Sequence, residues 1–330
     1  MAVTRILSPS KRTVKINEHS AFSLFRGNDG VAEMLASGGI GTSQELVKFV
    51  LSHFALGYKD VEAPAHFDMR PGCTAVQVKR SDGRGYLFGR NYDFEPHTML
   101  ILKNEPHDGY KSVSTVDTSF ITGNFGKAGK FLPASVIKAL ALYLPVDGMN
   151  EKGVCLSVNM ISDEDALITQ DRGLPKQIVV TAVRTILDRA ADVEQAIEIL
   201  ENCDMRSWKG FFCHVAIADA KGRCVAAEYI DDKLVINESP VVTNFYLEKG
   251  PKYGIGTEQS HIRYEKVMAH LAERSEMSAD ELRDELAGVA KSNFPDDFHT
   301  TEWSIVYDQK SLTATYYRRE DYDHPWMVFI

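Results

Sequence analysis

The sequence is short of the features that mark several large functional classes. It has no uninterrupted apolar run long enough to cross a bilayer as a helix. Its first residues, Met1-Ala2-Val3-Thr4-Arg5-Ile6-Leu7-Ser8-Pro9, lack the apolar stretch of a signal peptide, so the expected compartment is the cytoplasm. Neither a GxGxxG nor a GxxxxGK[ST] pattern is present, which removes the dinucleotide and P-loop readings. Positive charge is in the minority, with 37 Lys and Arg against 46 Asp and Glu and a net charge of −9. That balance argues against a nucleic-acid or anionic-membrane surface. Cysteine is sparse and odd in number: Cys73, Cys155, Cys203, Cys213 and Cys224, none in C-x-x-C spacing. Such a set fits neither a disulfide framework nor a zinc ribbon. Ten histidines supply no H-E-x-x-H or similar ligand pair, so no metal is expected.

What is present is a 330-residue chain, 44% hydrophobic, enough for one large domain or two ordinary ones. Its most informative stretch is 73–95, CTAVQVKRSDGRGYLFGRNYDFE. Residues 73–79 alternate small or apolar side chains with polar ones, the period of a half-buried strand. Ser81-Asp82-Gly83-Arg84-Gly85 is a turn with glycines available for positive φ. The return strand starts at Tyr86 and ends in Arg90-Asn91-Tyr92-Asp93. A hairpin brings its ends together, so Cys73 should lie near Arg90 and Asp93. A thiol beside a guanidinium and a carboxylate suits a nucleophile of lowered pKa. The same residues also read as a buried structural cysteine with a surface Arg/Asp pair nearby, and residue types alone do not choose between these.

Before the hairpin, residues 13–16 suggest a short strand and residues 30–36 a short helix. A stronger helix follows: Thr42 to Glu45 has capping-box spacing, Leu46, Phe49, Val50 and Phe54 recur at helical intervals, and Gly57 offers a stop. Residues 58–72, with two prolines, should be extended or looped. After the hairpin, 98–103 and 111–116 read as strands, 122–130 as a glycine-bearing loop and 133–144 as a helix. Residues 147–153, DGMNEKG, read as a turn into a strand over 154–160. Residues 175–189 and 192–202 read as amphipathic helices of the kind that cover a sheet. A meander is expected over 211–218, 224–230 and 233–236. His214, in its apolar run, reads as a satisfied core histidine. An apolar strand ends in Thr243-Asn244, helices start near Ser260 and at Ser278, and strands 302–308 and 311–317 close the chain. Strand runs broken by helix pairs, without strict β–α alternation, indicate an α+β fold.

The ordered blocks Cys73-Thr74, GRNYDFE, DGMNEKG, Thr243-Asn244 and Arg263-Tyr264-Glu265-Lys266-Val267 resemble the choloylglycine hydrolase family. That family includes bile salt hydrolases and penicillin V acylases, which are N-terminal nucleophile (Ntn) amide hydrolases. The resemblance covers residues 73–330. It implies an αββα sandwich of two antiparallel sheets between helical layers, here preceded by a helical N-terminal segment. Residues 1–72 would then be a propeptide or α-segment, as in acid ceramidase and N-acylethanolamine acid amidase, and 73–330 the Ntn domain.

By the same resemblance Cys73 is the nucleophile, freed by self-cleavage at Gly72–Cys73, and its α-amine is the base. Gly72 can take the strained backbone that such a cut needs. Arg90 would stabilise the thiolate, Asp93 orient the amine, and Asn244 donate to the oxyanion. Asn159 would line the substrate site and add an oxyanion donor, and Arg263 would hold the group in place. The implied activity is hydrolysis of a linear N-acyl amide, a small-molecule substrate such as a conjugated bile salt or penicillin V, with no cofactor. A homo-oligomer is also implied, an assembly the leader could block. An acyltransferase of the isopenicillin N type shares this chemistry, and an uncut, non-catalytic binding protein is the alternative of a different class. A papain-type enzyme would need a catalytic His, and none has a supporting motif.

Overall fold

The computed structural model describes residues 4–7, 13–56, 72–123, 131–163, 167–208, 212–294 and 300–330. The N-terminal part gives strands β1 (Arg5–Ile6), β2 (Val14–Asn17) and β3 (Ser20–Gly27). Helix α1 (Val31–Ala36), β4 (Gly39–Ile40) and helix α2 (Ser43–His53) follow. The Thr42 side chain caps α2 by accepting from Glu45 N at 3.1 Å, while Glu45 reaches back to Gly41 N rather than to Thr42. The helix ends before Gly57, which lies outside the described residues, with Ala55 in left-handed backbone at φ 51°. The two expected helices are therefore present, with β4 between them and β3 before them, neither strand announced by the residue pattern. In β3 the serines Ser20 and Ser23 are buried along with Phe22 and Leu24, so no polar–apolar alternation marks the strand.

The hairpin forms as β5 (Gly72–Arg80) and β6 (Tyr86–Phe94). Next come β7 (Met99–Pro106), β8 (Ser112–Asp117) and helices α3 (Ser119–Thr122) and α4 (Ala134–Ala141). Most of the loop expected over 122–130, and all of 58–71, lie outside the described residues. Asp147 to Asn150 are not a turn but β9 (Asp147–Asn150), and the turn is confined to Glu151-Lys152-Gly153, with Gly153 at φ 80°. After β10 (Cys155–Ile161), the stretch expected to be one helix from Pro175 begins as β11 (Lys176–Ile178) and turns helical only in α5 (Val179–Arg189). Parallel pairing of β11 with β4 holds it extended, and Gly39 makes this feasible: a Cβ there would sit 2.0 Å from the Lys176 carbonyl oxygen.

Helix α6 (Val193–Glu201) and β12 (Asp204–Arg206) lead into the meander β13 (Phe212–Ala218), β14 (Cys224–Ile230) and β15 (Lys233–Glu238), then β16 (Val241–Val242). Helix α7 (Glu258–Glu273), β17 (Glu276–Met277) and α8 (Ala279–Gly288) follow, α8 with a complete Ser278–Glu281 capping box. Three strands close the chain, not two: β18 (Thr300–Asp308), β19 (Thr313–Arg318) and β20 (Asp321–Phe329). Pro325 and a run of charged residues disguise β20, both features typical of strands near a sheet edge.

Among the described residues one sheet runs β1-β20-β19-β18-β6-β5-β16, with β17 also on β5, and the other β15-β14-β13-β10-β9-β8-β7-β3-β2. Pairing in these two sheets is antiparallel apart from β1 with β20, β17 with β5 and β3 with β7, and a third sheet, β12-β11-β4, is parallel. Alternation along the strands sorts their side chains between layers. Cys73 and Ala75 of β5 face inward, into a core shared with Ile101, Val113, Cys155 and Ala216 of the second sheet. Val76 and Val78 face outward under Val267 of α7 and Leu282 and Leu286 of α8. On the far side Leu156 and Val158 pack beneath Val183, Ile186 and Leu187 of α5 and Leu200 of α6. The order is helices, sheet, sheet, helices: the Ntn αββα sandwich.

Candidate active site

The β5–β6 register sets Cys73 opposite Tyr92, Gly72 opposite Asp93 and Ala75 opposite Arg90. Cys73 and Arg90 thus share the inner face, and Asp93 lies on the outer one. Cys73 Sγ is 3.7 Å from the Val158 carbonyl oxygen, and Arg90 Nη2 donates to that same oxygen at 3.0 Å. Arg90 Nη1 donates to Asn91 O at 2.8 Å, and the guanidinium lies over the Tyr92 ring, 5.4 Å from its centroid. Burial opposes the charge on Arg90, but Cys73 and Asp147 beside it raise its pKa above the usual arginine value. Asp147 Oδ2 is 3.7 Å from Arg90 Nε, and the carboxylate accepts from Trp303 Nε1 at 2.9 Å and Tyr307 OH at 3.0 Å. Burial pushes the Asp147 carboxyl up, and Arg90 and these donors pull it back.

On the backbone side, Cys73 N donates to Asn244 Oδ1 at 2.6 Å. Arg263 reaches in from α7: Nη2 donates to Asn244 Oδ1 at 2.9 Å, and Nη1 donates to Thr74 Oγ1 at 2.7 Å and to the Cys73 carbonyl oxygen. Asn244 Nδ2 donates to Met160 O at 2.7 Å. With two donors at one end and a carbonyl at the other, the orientation of the Asn244 amide is fixed by its partners. One Nδ2 hydrogen remains for another acceptor.

Asp93 Oδ1 accepts from Thr301 Oγ1 at 2.7 Å. Its Oδ2 is buried without a hydrogen-bond partner, 3.8 Å from Arg263 Nη1. A methyl group on Gly72 would meet that oxygen at 2.8 Å and Lys291 Cε at 2.8 Å. Gly72 itself is in a strand and is not among the glycines with positive φ. Its lack of a side chain therefore serves close approach, not the strained backbone expected from the sequence.

The structure brings Gly72, Cys73, Arg90, Asp93, Asn244 and Arg263 together. Asn159 stands behind them. Its Nδ2 hydrogens go to Val242 O at 3.0 Å and Thr243 O at 3.1 Å, and its Oδ1 accepts from Ser157 Oγ at 2.6 Å. Both of its Nδ2 hydrogens are thus taken by backbone carbonyls. Thr74, Tyr92, Asp147, Thr301 and Trp303 also belong to the constellation and escaped the sequence reading. Thr74 is adjacent to Cys73 and could have been found there. Asp147 was hidden by its Asp-Gly pair, which reads as a turn.

The other four cysteines are buried and unpaired. Burial pushes their thiols up, Cys203 to about 12 and Cys155, Cys213 and Cys224 further still, so each stays an unreactive thiol. Among the described residues no group of three or more His, Cys, Asp or Glu side chains is placed to hold a metal ion. No helix there is long and apolar enough to cross a membrane.

The fold is similar to that of a cysteine-to-alanine variant of conjugated bile acid hydrolase from Clostridium perfringens. The TM-score is 0.54 at 16% identity, over 75% of this chain and 89% of that one. Penicillin V acylase from Agrobacterium tumefaciens gives a TM-score of 0.53 at 18% identity, over 74% of this chain and 83% of that one. No curated protein sequence matches. A family profile, acyl-coenzyme A:6-aminopenicillanic acid acyl-transferase, matches residues 140–322, more than half of the chain and the part that supplies Asn244, Arg263 and Thr301. With that match the chain belongs to the acyl-coenzyme A:6-aminopenicillanic acid acyl-transferase family.

Proposed function

We propose that the protein hydrolyses a linear N-acyl amide with Cys73 as an N-terminal nucleophile, after its own cleavage at Gly72–Cys73. The observation that carries this reading is Asp93 Oδ2, buried beside that junction without a hydrogen bond and with only the Arg263 guanidinium 3.8 Å away. In the uncut chain Cys73 offers one N–H, which Asn244 Oδ1 accepts. A freed α-ammonium would offer three, and a buried carboxylate oxygen without a partner costs roughly 1–3 kcal/mol or more. Asp93 supplies the acceptor that the new amine needs.

In the cleavage step Sγ attacks the Gly72 carbonyl and the Gly72–Cys73 C–N bond breaks. The Cys73 nitrogen takes up the thiol proton. Water then hydrolyses the thioester, leaving a Gly72 carboxylate and a free Cys73. In turnover the α-amine, with an ordinary pKa near ~8, accepts the thiol proton, and Arg90 stabilises the thiolate. Sγ attacks the substrate amide, and the free Nδ2 hydrogen of Asn244 donates to the oxyanion, an effect on the order of 3 kcal/mol for one donor. The α-ammonium returns its proton to the leaving amine, and water hydrolyses the thioester. Arg263 holds Asn244, Thr74 and the Cys73 carbonyl in register, and Asn159 anchors the Asn244 segment from behind. The family profile favours a second reading, in which an amine such as 6-aminopenicillanic acid takes the acyl group in place of water.

The test is intact mass and N-terminal sequencing of the purified chain, with penicillin V and a glycine-conjugated bile acid as substrates. A fragment starting at Cys73 is expected, and Cys73→Ala should be uncut and inactive on both. Amide hydrolysis by Cys73→Ala would sink the reading, and an uncut, inactive wild type would put a binding protein in its place. An amine acceptor added during turnover separates hydrolysis from acyl transfer.

A further inference from the structure

Three neighbouring strands of the second sheet line up polar side chains, of which the mechanism above uses only Asn159. Asn159 of β10 pairs in register with His214 of β13, and His214 reaches Glu228 of β14. All three are fully buried. Together they grip the segment that follows β16. Asn159 donates to Val242 O and Thr243 O, and His214 Nε2 meets Thr243 O at 2.7 Å. Glu228 accepts from Leu247 N at 2.9 Å and Glu248 N at 2.8 Å. Asn244, whose amide touches Cys73 N, lies between these two grips.

We propose that His214 and Glu228 form a buried imidazolium–carboxylate pair that positions Asn244 for the chemistry of Cys73. The proton count follows from the partners. Nε2 faces a carbonyl oxygen, which cannot donate, so Nε2 carries a hydrogen. Nδ1 lies 2.9 Å from Glu228 Oε1, which also accepts from Leu247 N, while Oε2 accepts from Glu248 N and from Asn237 Nδ2 at 2.9 Å. Three N–H donors besides the imidazole converge on this carboxylate, which favours its ionised form. In that form Nδ1 carries the second hydrogen. Consistently, the Glu228 carboxyl lies below its usual range: burial raises it, but His214 and the two backbone N–H groups outweigh burial. A buried ion pair of this kind is tolerated when its remaining hydrogen-bonding capacity is filled, as here. His214 and Glu228 are positioning residues, since neither reaches Cys73 or a substrate.

This inference rests on the proposed reaction only for its kinetic part, so the test has two arms. The first uses the Cys73→Ala chain with ¹⁵N-labelled histidine at pH 7. Both ring nitrogens of His214 should show the protonated signature, assigned by loss of the signal in His214→Gln. A bare ring nitrogen overturns the pair. In the same background, hydrogen exchange at Leu247 and Glu248 should quicken by at least about tenfold in Glu228→Gln, a factor worth about 1.4 kcal/mol; unchanged exchange overturns the grip on the turn.

The second arm uses active enzyme and penicillin V. His214→Gln should lower kcat by about 10- to 100-fold, the size of effect that misplacing a catalytic group by about 1 Å can have, with KM little changed. On an Asn244→Ala background the same substitution should have almost no further effect, because His214 acts through Asn244. A full loss repeated on that background overturns the positioning role. A wild type without any amide turnover defeats the proposed function alone, and the first arm still decides the pair.

Discussion

Gly72 is the residue at which one added methyl group should matter most. Its Cβ would press on Asp93 Oδ2 and Lys291 Cε, both at 2.8 Å. Gly72→Ala should therefore displace Asp93 and slow self-cleavage by more than about tenfold while leaving the sandwich folded, since one misplaced catalytic group costs that much or more. A time course of fragment appearance on a gel, beside a circular dichroism spectrum, reads both. Arg90→Lys tests the inner face. A lysine cannot span Val158 O and Asn91 O with a planar fork, so alkylation of Cys73 by iodoacetamide should slow markedly. Asn159→Ala would strip donors from Val242 O and Thr243 O. It should cost about 1–3 kcal/mol in denaturant unfolding, because Val242 O would lose this donor and Thr243 O would keep only His214 Nε2. The chemically distinctive side chains at the ends of strands were legible in the sequence for this reason: their residue types narrow what they can do. The Val158 and Met160 carbonyls, which shape the site as much, leave no mark in any sequence.

At the scale of elements, α5 carries a buried acid, Asp188, that feels Asp29 of the N-terminal segment and pairs with Arg184 and Arg189 of its own helix. Asp188 of α5 has neither carboxylate oxygen in a hydrogen bond, and Gly109 packs so closely that a Cβ would meet Oδ2 at 2.5 Å. Burial pushes the Asp188 carboxyl up to about 7; Arg184 pulls it down, and Asp29, at the start of the turn into α1, pushes it up further. The folded value lies above the ordinary one near ~3.9. The native state therefore keeps a proton that the unfolded chain has lost between pH ~4 and ~7. The stabilisation tied to that proton is full below ~4 and is lost as pH rises through about 7. Thermal melts at pH 5 and pH 8 should show a larger fall in Tm for the wild type than for Asp188→Asn. An equal fall would mean that Asp188 does not titrate in this range. Elements with a clean period were legible: the hairpin, α2, α6, α8 and the meander. Those stabilised by partners far along the chain were not. Strand β3 is buried on both faces, β9 begins with turn-like residues, and β11 is held extended by β4.

For the whole molecule, the important fact is where the N-terminal segment sits. It does not lie against the sandwich as a cover. Its β3 pairs with β7 along all eight residues and carries β2 on its other edge. Phe22, Val31, Met34 and Val50 are buried in the same core as Cys73 and Ala75. The layered Ntn architecture was legible from the order of the blocks. This insertion was not, because parallel pairing between residues about 80 positions apart has no local signature. Both fragments of the cut protein should accordingly elute as one particle on size exclusion. They should separate only when denaturant unfolds the sandwich; a small fragment released under native conditions would contradict the β3–β7 pairing.

That pairing has a consequence for the order of the folding reaction. In an uncut chain β3 and β7 find each other within one molecule. On the proposed cleavage after Gly72 they would belong to different molecules, and refolding would become an encounter between two chains. The melting temperature of the cut form should then fall on dilution, by mass action, while that of the uncut Cys73→Ala chain stays constant. The protein would assemble once, as a single chain, and afterwards rely on slow unfolding rather than on refolding to persist.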